Sequence, residues 1–381
     1  MSKGKLLFVS AIVIIGVILF VLIDFLTISK DRSVFQESSP NQSQISTDKI
    51  VINDIKRIDT PQETHQSDKK VNIKIVECNK ELELFDRWDE LYDPLTISKR
   101  LQNGSSYSSQ ITHILDASAK TQNETKNNIA LLQALLNGTN DDKFTNYLIL
   151  GNCSNEKYRD TCSHQFMQEI LNSDPNNAAL WLTHSIIEAK NGNPSAAINS
   201  LEQALSAPNY NSYWAKTIEV SNQGLQEVGM DNQSARVVYS IGLAAAQALA
   251  PWQFLFKLCE QESKRREDIV HLCLDVGKKI AFQNKTQLEY AIGLSLQKKS
   301  YEILNDNENA ERIAEIKKNN ASSTPYMIEA FDLMLFDQEL LNYWLEQLKV
   351  FGEIEAEKRL VEEAIRLSSD PDYNPCPVVE E

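Results

Sequence analysis

Apolar positions recur at helical spacing over most of this chain. The clearest stretch is DPNNAALWLTHSIIEAKNGNPSAAINSLEQALSAP at 174–208, where two amphipathic segments flank a sharp NGNP turn. Such a pair cannot bury its apolar faces alone and needs neighbours stacked on both sides. The same period predicts helices near 81–93, 108–120, 124–138, 141–151, 156–173, 177–191, 194–207 and 211–229, and again near 232–249, 251–262, 266–283, 286–305, 307–319, 325–348 and 351–368. Breaks fall where breakers sit: NGSS at 103–106, NGTND at 137–141, Pro175, NGNP at 191–194, Pro208, Pro251 and Pro325. Connections are short, so consecutive helices should be antiparallel neighbours. The fold class is all-α, an antiparallel helical-hairpin array; a non-repeating helical bundle is the structural alternative.

The pattern changes at the N-terminus. Leu6 to Ile23 carries no charge, and Phe25 and Leu26 extend the run past Asp24. As a helix, Leu6–Ile23 would span about 27 Å, close to the hydrocarbon thickness of a bilayer. A buried core helix is disfavoured because the run is apolar all round. A cleaved signal peptide is disfavoured because the run is long and no A-x-A-like site follows. The expectation is a single transmembrane helix over 6–28, with residues 1–5 as a cytoplasmic stub and the bulk exported to the periplasm or an equivalent space. So short a stub excludes a cytoplasmic kinase or DNA-binding output. Residues 29–78 read as a flexible polar linker. Its alternating piece at 71–76 either lies extended against the helices or adds a strand to a partner. The helical domain then covers 79–370, and 371–381 is an acidic tail.

Composition narrows the chemistry. Of 381 residues 42% are hydrophobic, enough for a real core, and Gly and Pro are few at 12 and 11, which suits long helices. The net charge of −15 and the lack of a basic stretch exclude phosphate-backbone binding, so no nucleic-acid partner is expected. There is no G-x-x-x-x-G-K-[ST], G-x-S-x-G, H-E-x-x-H or G-x-G-x-x-G. The histidines do not cluster, and no catalytic residue, metal site or cofactor is predicted.

Six cysteines become informative if the domain is exported. Cys153 and Cys162 flank a polar turn, and Cys259 and Cys273 flank QESKRRED; each pair would close a helical hairpin as a disulfide, the alternative being separate buried thiols. Such bridges would contribute roughly 2.5–3 kcal/mol each in the chain-entropy account. A metal at Cys153, Cys162 and His164 lacks a fourth ligand. Cys78 and Cys376 either pair across the domain or stay free.

The 174–208 unit resembles a tetratricopeptide repeat. Trp181 falls on the first-helix aromatic, Gly192 in the turn, Ala197 and Ala204 on the small second-helix positions and Leu201 on the large one between them, with Pro175 where a preceding repeat would end. His184, Ser185 and Glu188 depart from the family pattern, and other stretches match it loosely or not at all, so any array is degenerate. The resemblance assigns the inner, partner-binding groove to Ala179, Leu182, Ile186, Ala189 and Lys190. Leu182 and Ile186 stand where a carboxylate clamp of this family uses Lys and Asn, so no clamp is implied. That face is either buried by flanking helices or open as an apolar groove. Residues 150–300 also resemble a group of membrane-anchored, exported proteobacterial proteins, through the cysteine pairs, the Asp174–Leu182 stretch and the Ile292-Gly293 step; no activity comes with that likeness.

The function this predicts is a scaffold or chaperone-like adaptor for proteins of the cell envelope, tethered to the inner membrane and non-enzymatic. The alternative is an envelope hydrolase acting on peptidoglycan or glycan through an acidic cleft, which would require inward-facing carboxyls with raised pKa values.

Overall fold

A computed structural model of the chain describes residues 74–78, 94–120, 128–136, 142–155, 158, 161–246, 251–283, 286–320 and 324–376. The expected membrane span at 6–28, most of the linker and the helix expected at 81–93 lie outside these residues. Among the described residues no helix is long and apolar enough to cross a membrane.

Sixteen helices follow one another among the described residues. They are α1 (Pro94–Gln102), α2 (Tyr107–Lys120), α3 (Asn128–Leu136), α4 (Asp142–Cys153), α5 (His164–Ser173), α6 (Ala178–Lys190), α7 (Pro194–Ser206) and α8 (Trp214–Glu227). The series continues with α9 (Gln233–Ala246), α10 (Gln253–Glu262), α11 (Glu267–Gln283), α12 (Gln287–Ile303), α13 (Asn307–Asn320), α14 (Met327–Met334), α15 (Gln338–Phe351) and α16 (Glu353–Ser368). The fold is all-α and compatible with a helical-hairpin array.

Local chemistry explains where the helices differ from expectation. Helix α1 begins on Pro94, whose fixed φ and missing N–H suit a first helical position. Helix α5 starts at His164, not at 156: Cys162 is bridged to Cys153, and the Ser163 hydroxyl caps the helix by accepting from the Phe166 N–H. The stretch 325–348 splits into α14 and α15. Asp337 caps α15 by accepting from the Glu339 and Leu340 N–H groups, while the apolar period runs on across the break.

Helices α6 and α7 form an antiparallel hairpin with neighbours on both sides. Leu180 and Ile187 enter a core with Phe144, Leu148, Met167 and Ile170 of α4 and α5. Leu182 and Ile186 enter a second core with Leu255, Leu258, Ile269 and Cys273 of α10 and α11. The next pair in sequence does not continue this stack. Helices α8 and α9 pack instead on α1 and α2 and on α15. The expectation that consecutive elements are neighbours therefore holds along most of the chain, and the steps from α7 to α8, from α9 to α10 and from α13 to α14 are the ones where the close packing passes to other helices. Helices α11 and α12 approach closely at two glycines: a Cβ on Gly293 would lie 2.5 Å from the Ala281 nitrogen and 2.7 Å from the Gly277 oxygen.

Helices α14–α16 share a core with Ile75, Cys78, Ile218 and Val237. Residues 74–78 lie extended against them, with the Val76 N–H donating to Ser368 Oγ at 2.9 Å. Three disulfides bind the described residues: Cys78–Cys376, Cys153–Cys162 and Cys259–Cys273. The two hairpin bridges match the sequence expectation, and the ends of the helical domain are joined as well.

Candidate functional site

The inner face of α6 is covered by the chain itself. Ala179, Leu182 and Ile186 are 4%, 1% and 0% exposed, and α10 lies over the last two. The side chains at these three positions do not line an open groove. An interior hairpin is apolar on both sides because both sides are packed. Ala189 and Lys190 are half-buried at the end of the helix, where Lys190 Nζ donates to the Ser154 carbonyl at 2.9 Å.

The departures from the repeat pattern form a polar seam inside the hairpin. Ser185 Oγ donates to the Ala197 carbonyl at 2.8 Å, and His184 Nδ1 lies 2.8 Å from Ser200 Oγ. His184 Nε2 lies 3.5 Å from Glu188 Oε1, while Glu188 Oε2 accepts from Asn193 Nδ2 at 2.8 Å. Burial pushes the His184 pKa down; Glu188 opposes this and His164 adds to it. The imidazole is therefore neutral near pH 7, and the seam fixes the register of α6 against α7. Ser200, His184 and Glu188 together have the residue types of a nucleophilic triad, but all three are buried below 5% exposure, so a substrate cannot reach them.

A second polar group gathers where α12 begins. The segment between α7 and α8 is pinned beside α6: Asn177 Oδ1 accepts from the Ala179 and Asn211 N–H groups, and Asn177 and Asn209 form an isolated parallel bridge. This places Tyr210 and Ser212 over Glu289 of α12. Glu289 Oε1 accepts from the Tyr210 hydroxyl at 2.9 Å, and Oε2 accepts from Ser212 at 3.2 Å and from Thr286 at 2.8 Å. The Glu289 N–H returns a bond to Thr286 Oγ1, a variant of the capping box.

From α16, Glu353 Oε2 accepts the Gln287 backbone N–H at 2.7 Å and Glu357 Oε2 accepts its side-chain amide at 3.0 Å. Burial raises all three carboxyl pKa values. Glu353 is pushed up to about 7, by burial first and then by Glu357 and Glu289, against the Gln287 N–H, which favours the anion. Burial also holds the Tyr147 and Tyr210 hydroxyls well above their ordinary value, and Glu289 adds to it.

Next to this group lies a cleft of about 280 Å³ lined by residues 210–216, Glu219, Leu348, Lys349 and Gly352. Glu219 sits between Lys349 at 2.9 Å and Lys216 at 3.4 Å. The sequence reading singled out none of Glu289, Glu353 and Glu357. T-x-x-E at 286–289 was a readable signal for the first; nothing local marks the other two. Among the described residues no cluster of His, Cys, Asp and Glu is arranged to hold a metal ion. No protein family, no curated protein and no solved structure matches the chain.

Proposed function

We propose that this chain is a membrane-tethered periplasmic scaffold or chaperone-like adaptor for proteins of the cell envelope, with no catalytic chemistry. The observation that carries the reading is where the buried and half-buried polar groups spend their bonds. His184 is held by Ser200, Glu289 by three hydroxyls, and Glu353 and Glu357 by one glutamine. These are joints between helices. Three disulfides suit an oxidising compartment, and the uncharged run at Leu6–Ile23 supports the tether. The finer likeness to a tetratricopeptide unit, within a group of anchored proteobacterial proteins, rests on 174–208 and the cysteine pattern. Its small positions Ala197 and Ala204 pack fully buried around Leu201, as close helix approach requires.

Photo-cross-linkers placed at Phe282 and Ile328, which are 81% and 65% exposed, test the proposal in intact membranes. The expected result is a discrete adduct with an envelope protein, absent with a linker at Glu311. Adducts no different from that control would sink it.

One observation favours the hydrolase instead: Glu353, at about 7, could hold a proton beside a cleft. Release of fragments from purified peptidoglycan by the wild type and not by Glu353→Gln would establish that reading; an inert wild type removes it.

A further inference from the structure

We infer that residues 74–78 are a redox-released strap: reduction of the Cys78–Cys376 bridge by a dithiol frees them from α14–α16. The first described element that then holds the N-terminal part of the chain is α1. The inference is independent of the scaffold reading.

The strap is fastened lightly. It runs extended, and alternate side chains turn inward: Ile75 and Cys78 are buried, while Lys74 and Glu77 are exposed. The two buried residues join the core of α14–α16 at its margin with Ile218 and Val237. Among the described residues one hydrogen bond ties the strap to the helices, from the Val76 N–H to Ser368 Oγ. The disulfide is the remaining hold.

The three bridges differ in what becomes of their cysteines once cut. Cys259 and Cys273 lie on α10 and α11, which pack on each other, and both are 1% exposed. Cys153 ends α4, and the Cys162 N–H donates to the carbonyl of buried Tyr158 in the turn between them. Packing keeps the thiols of both these pairs adjacent, so each bridge recloses readily. Cys376 is half-buried, whereas the other five cysteines are at most 8% exposed, so its sulfur is the one an incoming thiolate reaches best. Tyr373, which donates to Asp337, keeps Cys376 on the helices. Cys78 has only the strap to keep it there, and the effective concentration of its thiol falls when the strap lifts.

The exchange balances. One thiolate of the dithiol attacks Cys376 Sγ, the Cys78–Cys376 bond breaks, and Cys78 leaves as a thiolate that takes up a proton. The second thiol of the reductant loses its proton, attacks the mixed disulfide and releases the Cys376 thiolate, which is protonated in turn. The protein gains two electrons, and the dithiol ends as a disulfide. With the strap free, the next described element along the chain is α1, which stays packed on α2 and α8.

The oxidised full chain in detergent, treated with graded dithiothreitol, quenched by alkylation and mapped by mass spectrometry, reads this directly. Cys78 and Cys376 should be labelled roughly tenfold faster than the other four cysteines. In the protein reduced at that bridge alone, amides of Ile75–Cys78 should lose roughly tenfold in hydrogen-exchange protection while those of α6 and α7 hold. Ile75→Ala should lower the dithiothreitol concentration that opens Cys78–Cys376 and leave the other two bridges unchanged. Three bridges opening together, or Cys78–Cys376 opening last, overturns the inference in the wild type without any variant. A strap that keeps its protection after reduction overturns it as well.

Discussion

The α6–α7 hairpin and the α12–α16 joint both bury titratable groups, yet they respond to protons in opposite senses. In the hairpin a histidine is kept neutral by burial, with Ser200 on Nδ1. Its folded pKa lies below the ordinary 6.5, so its contribution is fully present above that value and is lost as pH falls. In the joint Glu353 is raised from 4.5 to about 7. Its contribution is fully present below 4.5 and is lost as pH rises through 7. Burial drives both shifts; the sign differs because one group is cationic when charged and the other anionic. The hairpin contact is permanent because apolar cores on both its faces hold it, whereas the joint rests on a few hydrogen bonds at two helix starts.

That contrast can be broken most severely at Leu182. Leu182→Asp places a carboxylate where the side chain is 1% exposed, between α6 and α10, and should cost on the order of 5 kcal/mol. Loss of the helical circular dichroism signal at 25 °C is expected. A folded variant that merely lost a binding partner would show instead that the face is open.

Gly293→Val tests whether close packing, and not polar bonding, governs the α11–α12 pair: its Cβ would meet backbone atoms, and about 3 kcal/mol of destabilisation is expected in urea titration. Ser200→Ala leaves His184 Nδ1 without its partner and should cost about 2 kcal/mol at pH 8. If the neutral imidazole is what the seam requires, α6 and α7 amide protection in the wild type falls as pH drops below 6.5, opposite in sense to the Glu353 contribution.

The smallest effect belongs to Glu353→Gln. It should stabilise the protein at pH 8 by about 1–2 kcal/mol, discounted because Glu353 keeps some solvent access, and change little at pH 4.5. Thermal melts at the two pH values measure it, and a variant less stable than wild type at pH 8 would contradict the raised pKa.

Much of the fold was legible because helical hairpins are local objects. Turn chemistry at Asn191–Pro194 and cysteine spacing across short loops fixed α6, α7 and both hairpin bridges. The α14–α15 break was hidden because Leu333 and Met334 keep helical phase with Leu340 and Leu341, and only the Asp337 cap betrays it. The stacking order was hidden for a different reason. Which hairpin lies against which depends on the fit of distant surfaces, such as Thr112 and Ser108 of α2 against Gly224 of α8. At Ala179, Leu182 and Ile186 the buried alternative could not be chosen from the repeat likeness for the same cause, since α10 packs on α6 from well beyond the repeat. The glutamate group is assembled from residues as far apart as Tyr210 and Glu357, and sequence proximity carries no trace of it.

The Cys78–Cys376 bridge, spanning a sequence separation of 298, turns the helical domain into a covalent ring. A protease that cuts once inside the ring leaves a single molecule of unchanged mass apart from one water, and only reduction frees the pieces. The bridge also decides where tension travels. A pull along residues 74–78 passes across the sulfurs, and through the Val76–Ser368 bond, into the last helix, so α1 need not unwind to transmit it.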